Sequence, residues 1–288
     1  MILLRLISRL PFFVLYIVSD FLFLVSYYLI GYRRKLVRKN LTNSFPEKSL
    51  GEIKRIEKEF YKNLCDYAVE SLKLVTISPD ELQKRMHYTN PEMVFRYRDQ
   101  NQSVILLSSH QFNWEWLLAS GTLCLGIPID FVYQPIKNKL FDNFMHTCRT
   151  RFGGYAIKRK EVARELIKRK GILRGVAIVA DQYPGRGNDK KYPTTFLNQE
   201  TMFFYGSQQM ASLTQFPTLY GMVKKIKRGY YTCTLIMIAE PPYEKNSETV
   251  VENYAKAVEK VIREYPSGWL WSHNRWKKRP LKDHAKKQ

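Results

Sequence analysis

SVILLSSHQFNWEW, residues 103–116, decides how the rest of the chain reads. The apolar run Val104 to Leu107 ends in two serines, His110 follows, and a helical stretch opens at Trp114 with Glu115 as its second residue. A short continuous apolar run bounded by turn formers suits a strand buried on both faces. The same grammar recurs downstream: IDFVY (129–133) and VAIVA (176–180) read as strands, with LFDNFMHTCRTRF between them as a helix. Strands alternating with helices predict an α/β fold with a largely parallel central sheet. Upstream, Ile53, Ile56, Phe60, Leu64, Tyr67, Ala68 and Val75 recur mostly at spacings of three and four, which is an amphipathic helix. Downstream, FPTLYGMV and YYTCTLIMIA read as strands paired across the basic turn Lys224–Gly229, and VVENYAKAVEKVIREY as a helix.

The chain has 288 residues, 45% of them hydrophobic, which excludes disordered and collagen-like classes. Cys65, Cys124, Cys148 and Cys233 are scattered without a C-x-x-C pair, so they read as reduced, buried small side chains rather than a disulfide framework or a metal site. A net charge of +21 points to a polyanionic partner. Nucleic acid is disfavoured, because no zinc finger, helix-turn-helix or RNP-type motif is present. Anionic lipid is favoured by the N-terminus. Pro11 to Gly31, PFFVLYIVSDFLFLVSYYLIG, is long enough to cross a hydrocarbon core of about 30 Å, with Asp20 as its single charge. Arg5 and Arg9 precede it, a denser cluster from Arg33 to Lys39 follows, and Tyr27, Tyr28 and Tyr32 lie near its downstream edge. That is a membrane anchor with an interfacial belt, and the charge asymmetry places the main body on the cytoplasmic side. A buried core helix is the competing reading. Asp20 leaves open whether the segment spans the bilayer or lies in its interface. Residues 1–40 are thus an anchor with a basic flank, and 41–288 a single α/β domain.

Chemistry is expected at the carboxyl ends of the strands, where sites assemble in open α/β sheets. His110 is placed there, and an imidazole with an intrinsic pKa of about 6.5 suits a general base. Glu115 could orient it, provided that His110 lies in the turn before the helix, since five residues along one helix rotate side chains apart by about 140°. The same two residues also read as a cap and a favourable charge in a helix's first turn. Ser109 is a poor candidate nucleophile, because it neighbours His110 on an extended strand and no G-x-S-x-G elbow surrounds it. Asp181 closes the strand VAIVA, and it reads either as a site residue or as an Asx turn before Pro184.

Four further stretches, FVYQPIKNKLFDNFMHTCRTRFGG (131–154), ADQYPGRG (180–187), TTFLNQETMFFYGSQQMA (194–211) and SGWLWSHNRWKKRP (267–280), join SSHQFNWE in family order. Together they resemble the late acyltransferases of lipid A biosynthesis, the lauroyl and myristoyl acyltransferase family within the lysophospholipid acyltransferase superfamily. The superfamily's signature is a His followed five positions on by an acid, here His110 and Glu115. Ser109 departs from the Asn that many members carry before this His. The resemblance implies a glycerol-3-phosphate acyltransferase-like αβ sandwich in residues 41–288, at the cytoplasmic face of a bacterial inner membrane. It implies transfer of a fatty acyl chain from an acyl carrier protein or coenzyme A thioester to a hydroxyacyl group of a lipid A precursor, with no metal or organic cofactor. In that scheme His110 and Glu115 form a general-base dyad, Arg151 is the favoured oxyanion donor with Arg149 beside it, and Asp181 holds an arginine or positions the acceptor. Arg186, Lys190 and Lys191 either contact phosphate or are solvated loop charge, and Phe196, with Phe203 and Phe204, either lines an acyl groove or packs in the core. Another hydroxylated lipid, a phospholipid or aminolipid, is the alternative acceptor. A non-catalytic lipid-binding protein is the alternative from another class. His273 is set aside, having no acid at the family's spacing.

Overall fold

A computed structural model describes residues 2–185, 189–244 and 246–277. The apolar N-terminus forms α1 (Ile2–Arg9) and α2 (Phe12–Leu24), which runs on through a π-helical turn to Leu29. Phe12–Leu29 is the one helix among the described residues long and apolar enough to cross a membrane. A basic helix, α3 (Arg34–Ser44), follows, and the assumed boundary at residue 40 falls inside it. Next comes α4 (Leu50–Lys73), started by a capping box in which Ser49 and Glu52 satisfy each other's free backbone N–H. Its apolar stripe is the one expected from the spacing of Ile53, Ile56 and Phe60, all buried.

The body then alternates: α5 (Pro79–Arg85), β1 (Met86–Tyr88), α6 (Glu92–Asp99), β2 (Val104–Ser108), α7 (Trp114–Cys124), β3 (Ile129–Tyr133), α8 (Lys139–Thr150), β4 (Tyr155–Lys158), α9 (Val162–Lys168) and β5 (Gly175–Val179). A two-stranded antiparallel hairpin, β6 (Lys191–Phe196) and β7 (Gln199–Phe204), precedes α10 (Gly206–Thr214). The long strands β8 (Thr218–Lys227) and β9 (Tyr230–Ala239) and the helix α11 (Thr249–Glu264) complete the fold. Seven strands form one sheet in the order β1-β9-β8-β2-β5-β3-β4, parallel everywhere except between β8 and β9. The expected mixed α/β architecture, mostly parallel sheet and N-terminal apolar helix are thus present. β2 is central, so its carboxyl end opens onto the middle of the sheet edge.

The N-terminal helix is docked on the body. Leu15, Ser19, Phe23 and Tyr27, each four residues apart, face inward and are buried. Ser19 Oγ donates to Asp66 Oδ1 at 2.7 Å, Tyr16 OH donates to Glu70 Oε1 at 3.0 Å, and Arg228 holds both Asp20 and Asp66 at 2.7 Å. The charged residue of the apolar segment is therefore satisfied by the β8–β9 turn.

Glu70, fully buried on α4, ties three elements together. Its Oε2 accepts from Asn113 Nδ2 at 2.7 Å and Tyr231 OH at 2.8 Å, while Tyr16 reaches Oε1. Burial, reinforced by the charge of Asp66, pushes its carboxyl up from 4.5 to about 7, against the hydrogen bonds from Tyr231 and Asn113. A raised carboxyl binds its proton more tightly in the folded state, so its contribution is complete below the unfolded value and is lost as pH rises through the folded one. Glu70→Gln preserves the shape and cannot ionise. Urea unfolding in detergent is expected to show the native chain losing on the order of 3 kcal/mol relative to Glu70→Gln between pH 5 and pH 8. Parallel stability curves for the two proteins would show that Glu70 is ionised throughout.

Candidate active site

His110 sits in the turn between β2 and α7, as a contact with an acid on the helix would require, but the acid it meets is on another strand end. Its Nδ1 lies 2.6 Å from Asp181 Oδ1, and its own backbone N–H donates to Asp181 Oδ2 at 3.1 Å. β2 and β5 are adjacent and parallel, with Ser108 opposite Val179, so the residues that follow each strand arrive at one place. Trp269 Nε1 donates to Asp181 Oδ2 at 2.6 Å. Burial pushes the Asp181 carboxyl up, yet the charge and hydrogen bonds of His110, together with the Trp269 indole, outweigh it and hold the group below the usual carboxylate range. An ionised carboxylate only accepts, which assigns the ring proton to Nδ1 and leaves Nε2 with a free lone pair. Gln182 Nε2 is 3.2 Å from that atom. The imidazole keeps 18% of its surface exposed while Asp181 keeps 1%, so the ring alone is open to a substrate.

Glu115 does not orient His110. Its carboxylate, 1% exposed, takes a bidentate pair from Arg149 at 2.6 and 2.7 Å, joining the start of α7 to the end of α8. Burial opposes the Arg149 charge, and Glu115 more than compensates, holding the guanidinium above its ordinary range. Five residues into the motif, the α7 backbone turns Glu115 toward α8, which is why the short spacing in sequence does not become a contact. Tyr67, whose hydroxyl pKa is raised by burial and by the Glu115 charge, stacks on Trp114 with ring centroids 4.0 Å apart, and Trp114 meets the His110 ring edge-on at 5.1 Å. The Glu115–Arg149 pair therefore reaches His110 through two aromatic rings.

The expected oxyanion donors are committed elsewhere. Arg151 donates Nη1 to the Leu74 and Ile77 carbonyls beyond the end of α4, and Arg149 gives Nε and Nη2 to Glu115. Lys190 lies over the Tyr205 ring at 3.7 Å, and Lys191 opens β6, paired with Phe204. Arg186 lies outside the described residues. Phe196 lines no groove: it packs in the core against Phe203 and Trp269, with the buried Arg275 guanidinium 5.1 Å from its centroid. Ser109 turns inward to Tyr220, Oγ to OH 2.8 Å. His273 is largely buried, and burial holds its imidazole down at about 4, so it is neutral near pH 7. All four cysteines are free, three of them buried and Cys124 half-buried.

The C-terminal stretch SGWLWSHNRW forms the back wall. Phe112 N–H donates to Gly268 O at 2.7 Å, Leu270 N–H donates to His110 O at 3.0 Å, and Gln111 bridges Trp269, so this segment straps the histidine turn. Phe112 takes a φ of 48°, and a Cβ on Gly268 would lie 2.5 Å from the Phe112 ring, which leaves only glycine there. Trp269 and Gln182 were not singled out from sequence as site residues. Their motifs were visible, but an indole donating to a carboxylate 88 residues away has no signal in spacing.

Next to the histidine turn lies a narrow apolar cavity of about 60 Å³. Ser108 and Trp114 stand at its histidine end, and it runs under α7 past Leu118 and Gly121 to Leu125 and Ile129. Leu106, Ala177 and Phe131 are cross-strand partners that form one row among its lining residues. Its lining is mostly hydrocarbon, the surface that an apolar ligand would meet.

Relatives named for their activity match this chain over part or most of its length. It is 25% identical over 252 residues, 86% of this chain and 80% of the relative, to the lipid A biosynthesis palmitoleoyltransferase of Escherichia coli K12. It is 24% identical over 281 residues, 96% of this chain and 89% of the relative, to the lipid A biosynthesis lauroyltransferase of the same organism. The myristoyltransferase of that organism matches over 139 residues at 27% identity, 47% of this chain and 41% of the relative. The molecule is an acyltransferase. With residues 1–278 matching the model for bacterial lipid A biosynthesis acyltransferase, the chain belongs to that family.

Proposed function

We propose that the protein moves a fatty acyl chain from an acyl thioester, carried by acyl carrier protein, to a hydroxyacyl group of a lipid A precursor at the cytoplasmic face of a bacterial inner membrane. The observation that carries this reading is the His110–Asp181 pair at the carboxyl ends of β2 and β5, whose imidazole meets Trp114, a lining residue of the apolar cavity. The mixed sheet with helices on it is compatible with the glycerol-3-phosphate acyltransferase-like sandwich of the wider superfamily. An acidic carrier protein suits a surface with a net charge of +21. Coenzyme A offers the same thioester.

In this scheme His110 Nε2 takes the proton of the acceptor hydroxyl as its oxygen attacks the thioester carbonyl. The C–O bond forms, the tetrahedral intermediate collapses with loss of the C–S bond, and the imidazolium returns the proton to the departing thiolate. Asp181 stabilises the imidazolium between those steps. Gln182 Nε2 supplies a donor within reach of the developing oxyanion, in place of the arginines expected there. No resident cofactor enters any step.

The deciding experiment supplies labelled acyl-acyl carrier protein to the detergent-solubilised protein, with a tetra-acylated lipid A precursor in one arm and a hydroxylated aminolipid in another. Transfer to the first is expected; transfer to the aminolipid alone would keep the chemistry and reassign the acceptor. Transfer to neither would overturn acyl carrier protein as the donor or both lipids as acceptors, which acyl-coenzyme A in the same assay separates.

The cavity makes a separate claim about the donor. Ala177 faces it from the middle of β5, and Ala177→Leu fills space without touching His110. Its kcat/KM for the longest native donor is expected to fall about tenfold, the scale of one or two methylenes in a hydrophobic pocket, while a donor shorter by two to four carbons is spared. A uniform loss across chain lengths would place the acyl chain elsewhere.

A further inference from the structure

The apolar N-terminal helix has two faces, and the structure fixes what covers one of them. Opposite the buried stripe, Phe13, Ile17, Phe21, Leu24 and Tyr28 form a continuous exposed stripe, each between 52% and 67% accessible. Against the docked side runs α4, antiparallel to it: Tyr16 meets Glu70, Ser19 meets Asp66, Lys62 lies over the Phe23 ring and Lys58 over the Tyr28 ring. These contacts extend over the 13 residues from Tyr16 to Tyr28, about 18 Å of helix. Were that helix to stand across a bilayer, the charges of α4 and of Arg228 would be carried to hydrocarbon depth with it, a placement that membranes strongly disfavour. Undocking to span alone would instead strip Ser19, Tyr16 and Asp20 of their partners.

We infer that α2 and its π-helical extension lie along the membrane plane, pressing the Phe13–Tyr28 stripe into the cytoplasmic leaflet of an anionic bilayer without crossing it. Charge complementarity names the occupant: Lys58 and Lys62 sit over aromatic rings of this helix, Arg9 ends α1, and Arg33 and Lys35 follow the segment's last turn. Cations bordering an apolar helical face are the pattern of interfacial helices on anionic lipid. The inference rests on the membrane setting proposed above and on none of its chemistry, so its readouts are topology and binding.

Three measurements test it. Ser26 Oγ lies 3.6 Å from Cys65 Sγ, so Ser26→Cys places a thiol on the apolar segment against a native cysteine of α4. Oxidation in isolated membranes is expected to join the two, read as loss of both thiols to a maleimide polymer and as a linked peptide by mass spectrometry. A link that forms in detergent and not in membranes would mean that the helix leaves the body to span, overturning the inference. In parallel, reporters at the N-terminus and the C-terminus should be reached from the same side of sealed vesicles; opposite sides would overturn it too. For the surface itself, Ile17→Glu/Phe21→Glu in the Ser26→Cys background is expected to weaken binding to vesicles of phosphatidylethanolamine and phosphatidylglycerol at least tenfold with the cross-link retained. Unchanged binding with the cross-link retained would show that another face carries the contact, and loss of the cross-link calls for the same readout with the single substitution Ile17→Glu.

Discussion

Asp181→Asn is expected to lower acyl transfer by roughly 10²- to 10⁴-fold while the protein still folds, and His110→Ala by at least about 10²-fold, the usual scales for misdirecting or removing a general base. Both losses come from the ring and where its proton sits. Asp181 accepts three hydrogen bonds, two at Oδ2 from His110 N–H and Trp269 Nε1 and one at Oδ1 from His110 Nδ1. The asparagine side chain can keep the first two with its carbonyl oxygen, but its amide then faces Nδ1 with a donor. The ring answers by moving its proton to Nε2, the atom that must be bare to take the acceptor's proton. Single-turnover rates on acyl-acyl carrier protein separate this loss from thioester binding, which should be unchanged. If Asp181→Asn transferred acyl groups at the native rate and Glu115→Gln did not, the orientation of His110 would have to come from the acid five residues along the chain.

That contrast marks where the sequence was readable. The element types followed from local physics: VILLS and VAIVA are apolar runs too short for buried helices, and each became a central parallel strand. His110 and Asp181 were both located at strand ends, which topology makes the site of an open sheet. Their meeting depended on β2 and β5 being neighbours, and strand order is set by how whole layers pack, with no trace in the spacing of either motif. Glu115 was drawn to His110 by nearness in sequence, yet a helix distributes neighbours around its axis, and the side chain was claimed by Arg149 from a helix 34 residues on. Arg151 sat beside the Phe-Gly-Gly that marks the block, but a guanidinium at a helix end finds bare carbonyls first, here those of Leu74 and Ile77. Asp20 was the sharpest case. Inside an apolar segment it left two membrane arrangements open, and the residue that answers it, Arg228, is 208 positions away in a hairpin turn.

Arg149→Met should be the most destabilising of the substitutions considered, by about 3–5 kcal/mol, because it strands an ionised Glu115 in a buried site. A domain's whole stability is typically about 5–15 kcal/mol, so this variant is expected to accumulate poorly at 37 °C. The pair itself need not be the source of that energy: two charges withdrawn from water lose about as much hydration as they regain from each other. Arg149→Met/Glu115→Leu removes both charges and should recover most of the loss. Urea midpoints with an unchanged m value are the measurement, since they report stability without a change in the unfolded reference. The two variants also divide stability from catalysis. Once corrected for the folded fraction, the double variant should transfer acyl groups within about tenfold of the native rate, because Glu115 reaches the imidazole only through Tyr67 and Trp114 while Asp181 holds its ring proton directly. A double variant as stable as the native chain and as inactive as His110→Ala would assign the Glu115–Arg149 pair a direct part in the reaction. Recovery of both stability and turnover would make the pair a brace between α7 and α8 that holds the aromatic wall of the site in place.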